Sequence, residues 1–193
     1  AVDGNENNIV EVNTEPLPPG PANPHNTAFA ARETLLENEH SAMRNTNSTS
    51  SRYWRIENSG KTNRLGRPTA YRLLPSSTAT MFAAENSPHA QRAMFAKHNL
   101  WVTPTDQSER YAAGDYPTQR NAGEGLPKFT ANNRSVADTD LTVWHTFGLT
   151  HDVRLEDYPV MPTEYTGFML VPDGFFERNP AIDVAPSQSG HCH

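Results

Sequence analysis

Proline restricts this chain more than any other residue. Sixteen prolines stand among 193 residues, against eleven glycines. Each removes a backbone donor and fixes φ, so that many of them favour a turn-rich β architecture over a helical bundle. The densest run, "TEPLPPGPANPHN" at 14–26, holds five prolines and reads as an extended connection. Between such punctuation the strand signals are clear. "NIVEVN" (8–13) alternates after the turn dipeptide Asp3-Gly4, and "SRYWRIENS" and "TAYRLLPSS" follow as strands joined by turns. "LTVWHTFGLTH" (141–151) and "YTGFMLVPDGFF" (165–176) have strand character as well.

Two stretches point to helix. In "NSPHAQRAMFAKHNLWVTP", Ser87 is a good N-cap and Pro88 suits the first helical position, which predicts a short helix near 87–98 and a strand at Leu100-Trp101-Val102. "TAFAARETLLENEHSAMRN" carries helix formers, with Leu35, Leu36 and Met43 at helical spacing, and pattern alone predicts a helix around 31–43. Residues 103–135 are polar and rich in turns. That is a long excursion for a compact domain and reads as a functional or interface arm. The tail 186–193 is expected to be mobile.

Composition narrows the function. A net charge of −6 disfavours nucleic acid and anionic membrane surfaces, which need clustered Lys and Arg. No apolar run reaches the length of about 18 residues that a membrane-spanning helix needs. The single cysteine, Cys192, leaves no disulfide within these residues, so an oxidising compartment is not required and a cytoplasmic setting is expected.

The histidines suggest a metal. His145 and His151 lie six residues apart on one apolar stretch, with Gly148 between them. On an extended strand that separation is roughly 20 Å, at about 3.3 Å per residue. An ion ligated at about 2 Å cannot touch both, so at most one of the two is a ligand. At the terminus, His191 and His193 flank Cys192 in a His-x-His pair, which chelates copper or zinc well on a strand and less specifically on a frayed end.

At this point the sequence resembles a known family. "VWHTFGLTHDVRLEDYPVMPTEYTGFMLVPDGFFERNPAIDV" is similar to the carboxy-terminal segment of the copper amine oxidases, the quinone-dependent primary-amine oxidases. "LWVTPTDQSERYAAGDYPTQ", "GEGLPKF" and "AVDGNENNIVEV" extend the likeness in the same order, over nearly all 193 residues. The resemblance implies a mainly β fold, part of a large twisted sandwich (a supersandwich) with long arm-like loops. It implies strand rather than helix over most of 27–60, and sheet context can override local propensity in that way. It implies copper and topaquinone as cofactors and a homodimer bridged by the 103–135 arm. It makes His151 a copper ligand and His145 not one. Met161, in "YPVMP", matches a methionine lying close to the copper centre. Asp140 with the carbonyl of Leu141 matches part of a peripheral site for a hard cation such as calcium, which takes oxygen ligands.

The departures from the family are equally informative. Members need a His-x-His pair for two further copper ligands, an Asn-Tyr-Asp/Glu tyrosine that becomes the quinone, and an aspartate base. No Asn-Tyr dipeptide occurs here, so none of the six tyrosines is a quinone candidate. The chain therefore reads as the last third of a primary-amine oxidase, with the rest of the catalytic machinery in a missing amino-terminal part. On this reading the strand before Asp3-Gly4 would carry the His-x-His pair and would leave "NIVEVN" without its hairpin partner. The implied reaction is oxidative deamination of a primary amine by oxygen, giving aldehyde, ammonia and hydrogen peroxide. Two rival readings remain open: a non-catalytic β-sandwich module, and a different metalloprotein using His151 with His191 and His193.

Overall fold

The computed structural model describes residues 4–76, 80–119 and 122–183. Asp3 and the whole 186–193 tail, with His191, Cys192 and His193, lie outside the described residues. The described chain is mainly β. Seven strands run Asn7–Pro16 (β1), Phe29–Leu35 (β2), Tyr53–Thr62 (β3), Pro68–Pro75 (β4), Leu100–Pro104 (β5), Leu141–His145 (β6) and Phe168–Asp173 (β7). Five of them form an antiparallel sheet in the order β2-β1-β3-β4-β7, and β5 pairs with β6 in a second sheet.

The two sheets share one core. Ile9 and Trp54 project from β1 and β3, Leu73 from β4, and Leu100 and Val102 from β5, with Leu36, Ala42 and Val136 closing the sides. All eight side chains are buried. Strand alternation places Glu11 on the same face as Ile9, directly across from Trp54. A carboxylate therefore points into the space between the sheets. It is satisfied there by Arg44 (2.7 and 2.8 Å), by Asn13 Nδ2 (3.0 Å) and by the Trp54 indole N–H (3.2 Å), with Arg52 3.3 Å away.

The opposite face of the large sheet carries an ionic row. Arg55, almost fully buried, lies among Glu33 (3.4 Å), Glu57 (3.3 Å) and Asp173 (3.0 Å), which come from β2, β3 and β7. Arg72 on β4 grips Asp173 through two hydrogen bonds of 2.9 and 3.2 Å. Burial pushes the Asp173 carboxyl up, but the Arg72 hydrogen bonds and the charges of Arg72, Arg55 and Arg67 outweigh it and hold the group below its ordinary value.

Four expectations need correction. Residues 31–43 are not helical: Phe29–Leu35 is a strand paired with β1, and every residue of it is exposed. Leu36 turns into the core while Leu35 stays half-exposed, so the apparent helical spacing marks the place where the strand ends and the chain turns inward. Strand does not fill 27–60 either. Between Leu36 and Arg52 the chain makes turns and isolated bridges, such as Arg44 with Leu100, that tie it to the second sheet.

The third correction concerns β1, which lacks no partner. It is hydrogen-bonded to β2 on one side and β3 on the other, and Asn7 exchanges backbone bonds with Thr139 beyond the end of β2. Fourth, the strands expected at 141–151 and 165–176 are shorter, ending at His145 and running over Phe168–Asp173.

The helix near 87–98 is present as Pro88–Arg92 (α1), followed by a 3-10 turn at Met94–Lys97. Ser87 Oγ accepts the Ala90 N–H at 3.2 Å, as its sequence position predicts. Among its described residues beyond β5, the 103–135 excursion holds a four-residue helix, Leu126–Phe129 (α2), and a 3-10 turn. Arg134 anchors it to the body through Glu39, which is completely buried, and also pairs with Glu109 within the excursion itself. Gly125 opens α2 at φ +75°, where a Cβ would stand 2.1 Å from the Ala112 carbonyl oxygen. Gly125→Ala is expected to destabilise the fold by roughly 1–3 kcal/mol, from a strained backbone conformation and a displaced loop. A denaturant midpoint equal to that of the unaltered protein would refute this.

Candidate metal centre

The two histidines of the 141–151 run occupy different environments. His145 ends β6 with its Nδ1 2.8 Å from the Asn99 carbonyl oxygen. Its ring stacks on Phe147 (centroids 5.7 Å) and meets Phe168 and Trp54 edge-on at 5.1 and 6.2 Å. Its Nε2 is buried among these aromatics without a hydrogen-bond partner. Burial pushes the imidazole pKa down, against a smaller opposing effect of the Asn99 hydrogen bond, so the neutral ring is favoured. This is an aromatic packing residue, and among the described residues no group of metal-binding side chains surrounds it.

His151 lies six residues on, after the strand has ended, in the irregular segment between β6 and β7. Its side chain is 28% exposed and is held at both nitrogens. Nε2 is 2.9 Å from Asp157 Oδ2, and Nδ1 is 3.1 Å from Glu164 Oε2. The Glu164 hydrogen bond, with the charges of both carboxylates, raises the imidazole pKa above its ordinary value, against a smaller opposing effect of desolvation. Asp157 closes a 3-10 turn at Leu155–Asp157. Its carboxylate accepts the Arg154 backbone N–H at 2.9 Å, and this bond leads the influences that lower its pKa.

Sequence reasoning singled out His151 and missed both carboxylates. The signal was present in "LEDYP" and "PTEY", six and thirteen residues downstream, but only the folding back of an irregular segment brings them to one ring. Met161 lies in the same segment and is 49% exposed.

As a metal donor set the cluster is incomplete. An imidazole suits copper, and His151 is accessible enough to reach an ion. Yet no group of three or more His, Cys, Asp or Glu side chains is arranged to hold a metal among the described residues. His151 offers one imidazole, and the described side chains around it do not complete a metal site.

Asp140 and Leu141 open β6. The Asp140 side chain is exposed, and its backbone carbonyl accepts the Thr105 N–H at 2.9 Å. That makes Asp140 and Thr105 a hydrogen-bonded pair, so the next residue, Leu141, turns its carbonyl away from β5. The exposed carboxylate of Asp140 and the outward carbonyl of Leu141 thus belong to adjacent residues at the strand's start.

Comparison with known proteins places this chain in a family. A model of the copper amine oxidase enzyme domain matches residues 1–191. Histamine oxidase of Arthrobacter globiformis is 45% identical over 191 residues, which are 99% of this chain and 28% of that protein. A peroxisomal copper-containing diamine oxidase of Nicotiana tabacum is 44% identical over 181 residues, 93% of this chain and 23% of its own length. In structure the chain is similar to a copper-containing benzylamine oxidase from Hansenula polymorpha, with a TM-score of 0.87 and 34% identity over 96% of this chain and 29% of that one. The chain thus spans less than a third of the length of these relatives. On sequence and fold together, it belongs to the copper amine oxidase family and corresponds to part of that family's enzyme domain.

Proposed function

We propose that this chain is the carboxy-terminal portion of the enzyme domain of a primary-amine oxidase, and that His151 is its contribution to the copper site. The observation that carries this reading is the match over 99% of the chain to an amine oxidase at 45% identity, running through the segment that holds His151. When bound, copper and a topaquinone derived from a tyrosine elsewhere in the enzyme supply the oxidising chemistry that turns a primary amine and oxygen into aldehyde, ammonia and hydrogen peroxide.

This chain's residues have narrower tasks. His151 offers an imidazole nitrogen to the metal, and Asp157 orients the ring through the other nitrogen, as outer carboxylates commonly do for metal-bound histidines. Met161 lies on the same segment and helps to shape the surroundings of the copper. Asp140 and the Leu141 carbonyl supply two of the oxygens that a peripheral calcium takes, the remainder coming from other residues or water.

The surface supports a larger assembly. Val153, Leu155, Tyr158 and Tyr165, all on the His151 segment, are 87–92% exposed. Large exposed apolar side chains gathered on one segment suit a face that other polypeptide covers, here the part of the enzyme bearing the quinone. The exposed Tyr111 and Tyr116 on the 103–135 arm suit contact with a second subunit in a homodimer.

The reading is tested by amine-dependent peroxide release, measured with copper and oxygen supplied, from the full polypeptide and from the 193 residues alone. Turnover is expected from the first and none from the second. Sustained turnover by the 193 residues alone would overturn the assignment. For the peripheral site, calcium titrated into the full polypeptide should bind in the unaltered protein and be lost in Asp140→Ala; equal binding by both would remove Asp140 from the site.

A further inference from the structure

Glu11 does not neutralise both of its arginines. Its carboxylate accepts Arg44 at 2.7 and 2.8 Å and stands 3.3 Å from Arg52, so two guanidinium groups share one negative charge. Arg44 is 37% exposed and water screens it, whereas Arg52 is 17% exposed. A partly enclosed cation with an incomplete counter-charge attracts a further anion. Arg52 directs Nε to Asn13 Oδ1 (2.9 Å) and Nη1 to the Asn45 carbonyl (2.8 Å), and no described acceptor meets Nη2.

That guanidinium stands in the wall of a cavity of about 540 Å³, bounded by the start of β3, the end of β4 and the 46–51 turn. The turn is held in shape by its own bonds. Ser51 N–H donates to the Ser48 carbonyl (3.2 Å), Arg52 N–H to the Asn47 carbonyl (3.0 Å) and Thr49 N–H to Asn47 Oδ1 (3.1 Å). Two hydroxyls of the lining are occupied, since Thr46 donates to Asn99 Oδ1 and Ser76 to the Gly167 carbonyl. Asn47 Nδ2 and the Ser48 and Ser51 hydroxyls also line the cavity, and none of them meets a described partner. Among the described residues the lining contains no acidic side chain. A wall with one cation, several open donors and no carboxylate suits a ligand made of acceptors.

We propose that this cavity binds a small oxyanion of the phosphate or sulfate class, held by Arg52 with Asn47, Ser48 and Ser51. The anion completes the charge balance around Glu11 and ties the 46–51 turn to β3. The site shares no residue with the His151 cluster and does not depend on the copper reading.

Isothermal titration calorimetry on the full polypeptide tests this, with inorganic phosphate, sulfate and glycerol 3-phosphate as probes at neutral pH and constant ionic strength. Saturable binding is expected with a Kd on the order of 1 mM, as suits one guanidinium and a few neutral donors. Tighter binding of the ester than of inorganic phosphate would identify a phosphomonoester as the occupant, and the reverse a free ion. Arg52→Gln should weaken binding at least about tenfold, but it also loosens the contacts with Asn13 and Asn45. Ser51 separates binding from folding. It is exposed and sits at φ +46°, a conformation that Asn and Asp tolerate. Ser51→Asn, which stays neutral, should bind within about twofold of the unaltered protein, whereas Ser51→Asp places a carboxylate at the cavity and should weaken binding at least about tenfold. His151→Ala should bind the anion as the unaltered protein does, so this proposal can fail while the copper reading stands. Absence of saturable binding for all three probes, or equal affinity in Ser51→Asp and Ser51→Asn, would overturn the site.

Discussion

Replacing His151 with alanine in the full polypeptide is expected to abolish stoichiometric copper binding and, with it, formation of the quinone. His151 is accessible and lies outside the aromatic core, and among the described residues no group of three or more His, Cys, Asp or Glu side chains is arranged to hold a metal in its stead. Losing one of a small number of nitrogen donors opens the site and removes most of its affinity. His145→Ala is the informative control. It should retain copper and colour while losing stability, because the ring fills a space between Trp54, Phe147 and Phe168. A truncation of that kind costs roughly 1–3 kcal/mol, partly recovered because a buried nitrogen without a partner disappears too. Metal analysis and the quinone's visible absorbance read the first effect, and denaturant unfolding the second. A fully loaded, coloured His151→Ala protein would sink the assignment.

Glu11→Ala is expected to cost about 3–5 kcal/mol, since it would leave Arg44, Arg52 and the Trp54 indole around an empty centre in the core. Glu11 is 1% exposed and its partners come from three separate places, so no water or neighbour readily takes its role. Glu11→Gln, which keeps the volume and loses the charge, separates the electrostatic from the packing effect. The pH dependence has a definite sign. Burial pushes the Glu11 carboxyl up, but the hydrogen bonds from Arg44 and Asn13 and the charges of Arg52 and Arg44 bring it below its ordinary value of 4.5. A group with a lowered folded-state value stabilises the fold above its unfolded value and loses that contribution as pH falls through the folded one. Stability should therefore decline below about pH 4.5 in the unaltered protein, and less steeply in Glu11→Ala. Identical acid profiles for the two would show that Glu11 does not carry this dependence.

Near-neighbour chemistry was legible in the sequence. Ser87 and Pro88 announced α1, and the alternation of "NIVEVN" announced β1. Those readings hold because capping and strand alternation are set by residues adjacent in the chain. The error at 31–43 has the same physics in reverse. Leu35, Leu36 and Met43 fall at helical spacing, but β1 offered a hydrogen-bonded edge to Phe29–Leu35, and a ladder of backbone bonds outweighs a weak local preference.

The sequence by itself determined the family and the mainly β character. Only the tertiary structure decided that β1 is paired on both sides, that Glu11 is a buried charge shared by two arginines and a tryptophan, and that Asp157 and Glu164 close on His151. Each of these joins residues that are distant in sequence or linked by irregular chain. Their partners follow from where the backbone turns, and the identities of nearby residues do not encode that. A carboxylate thirteen residues from a histidine is an ordinary surface charge until the segment between them folds back and sets it 3.1 Å from the ring.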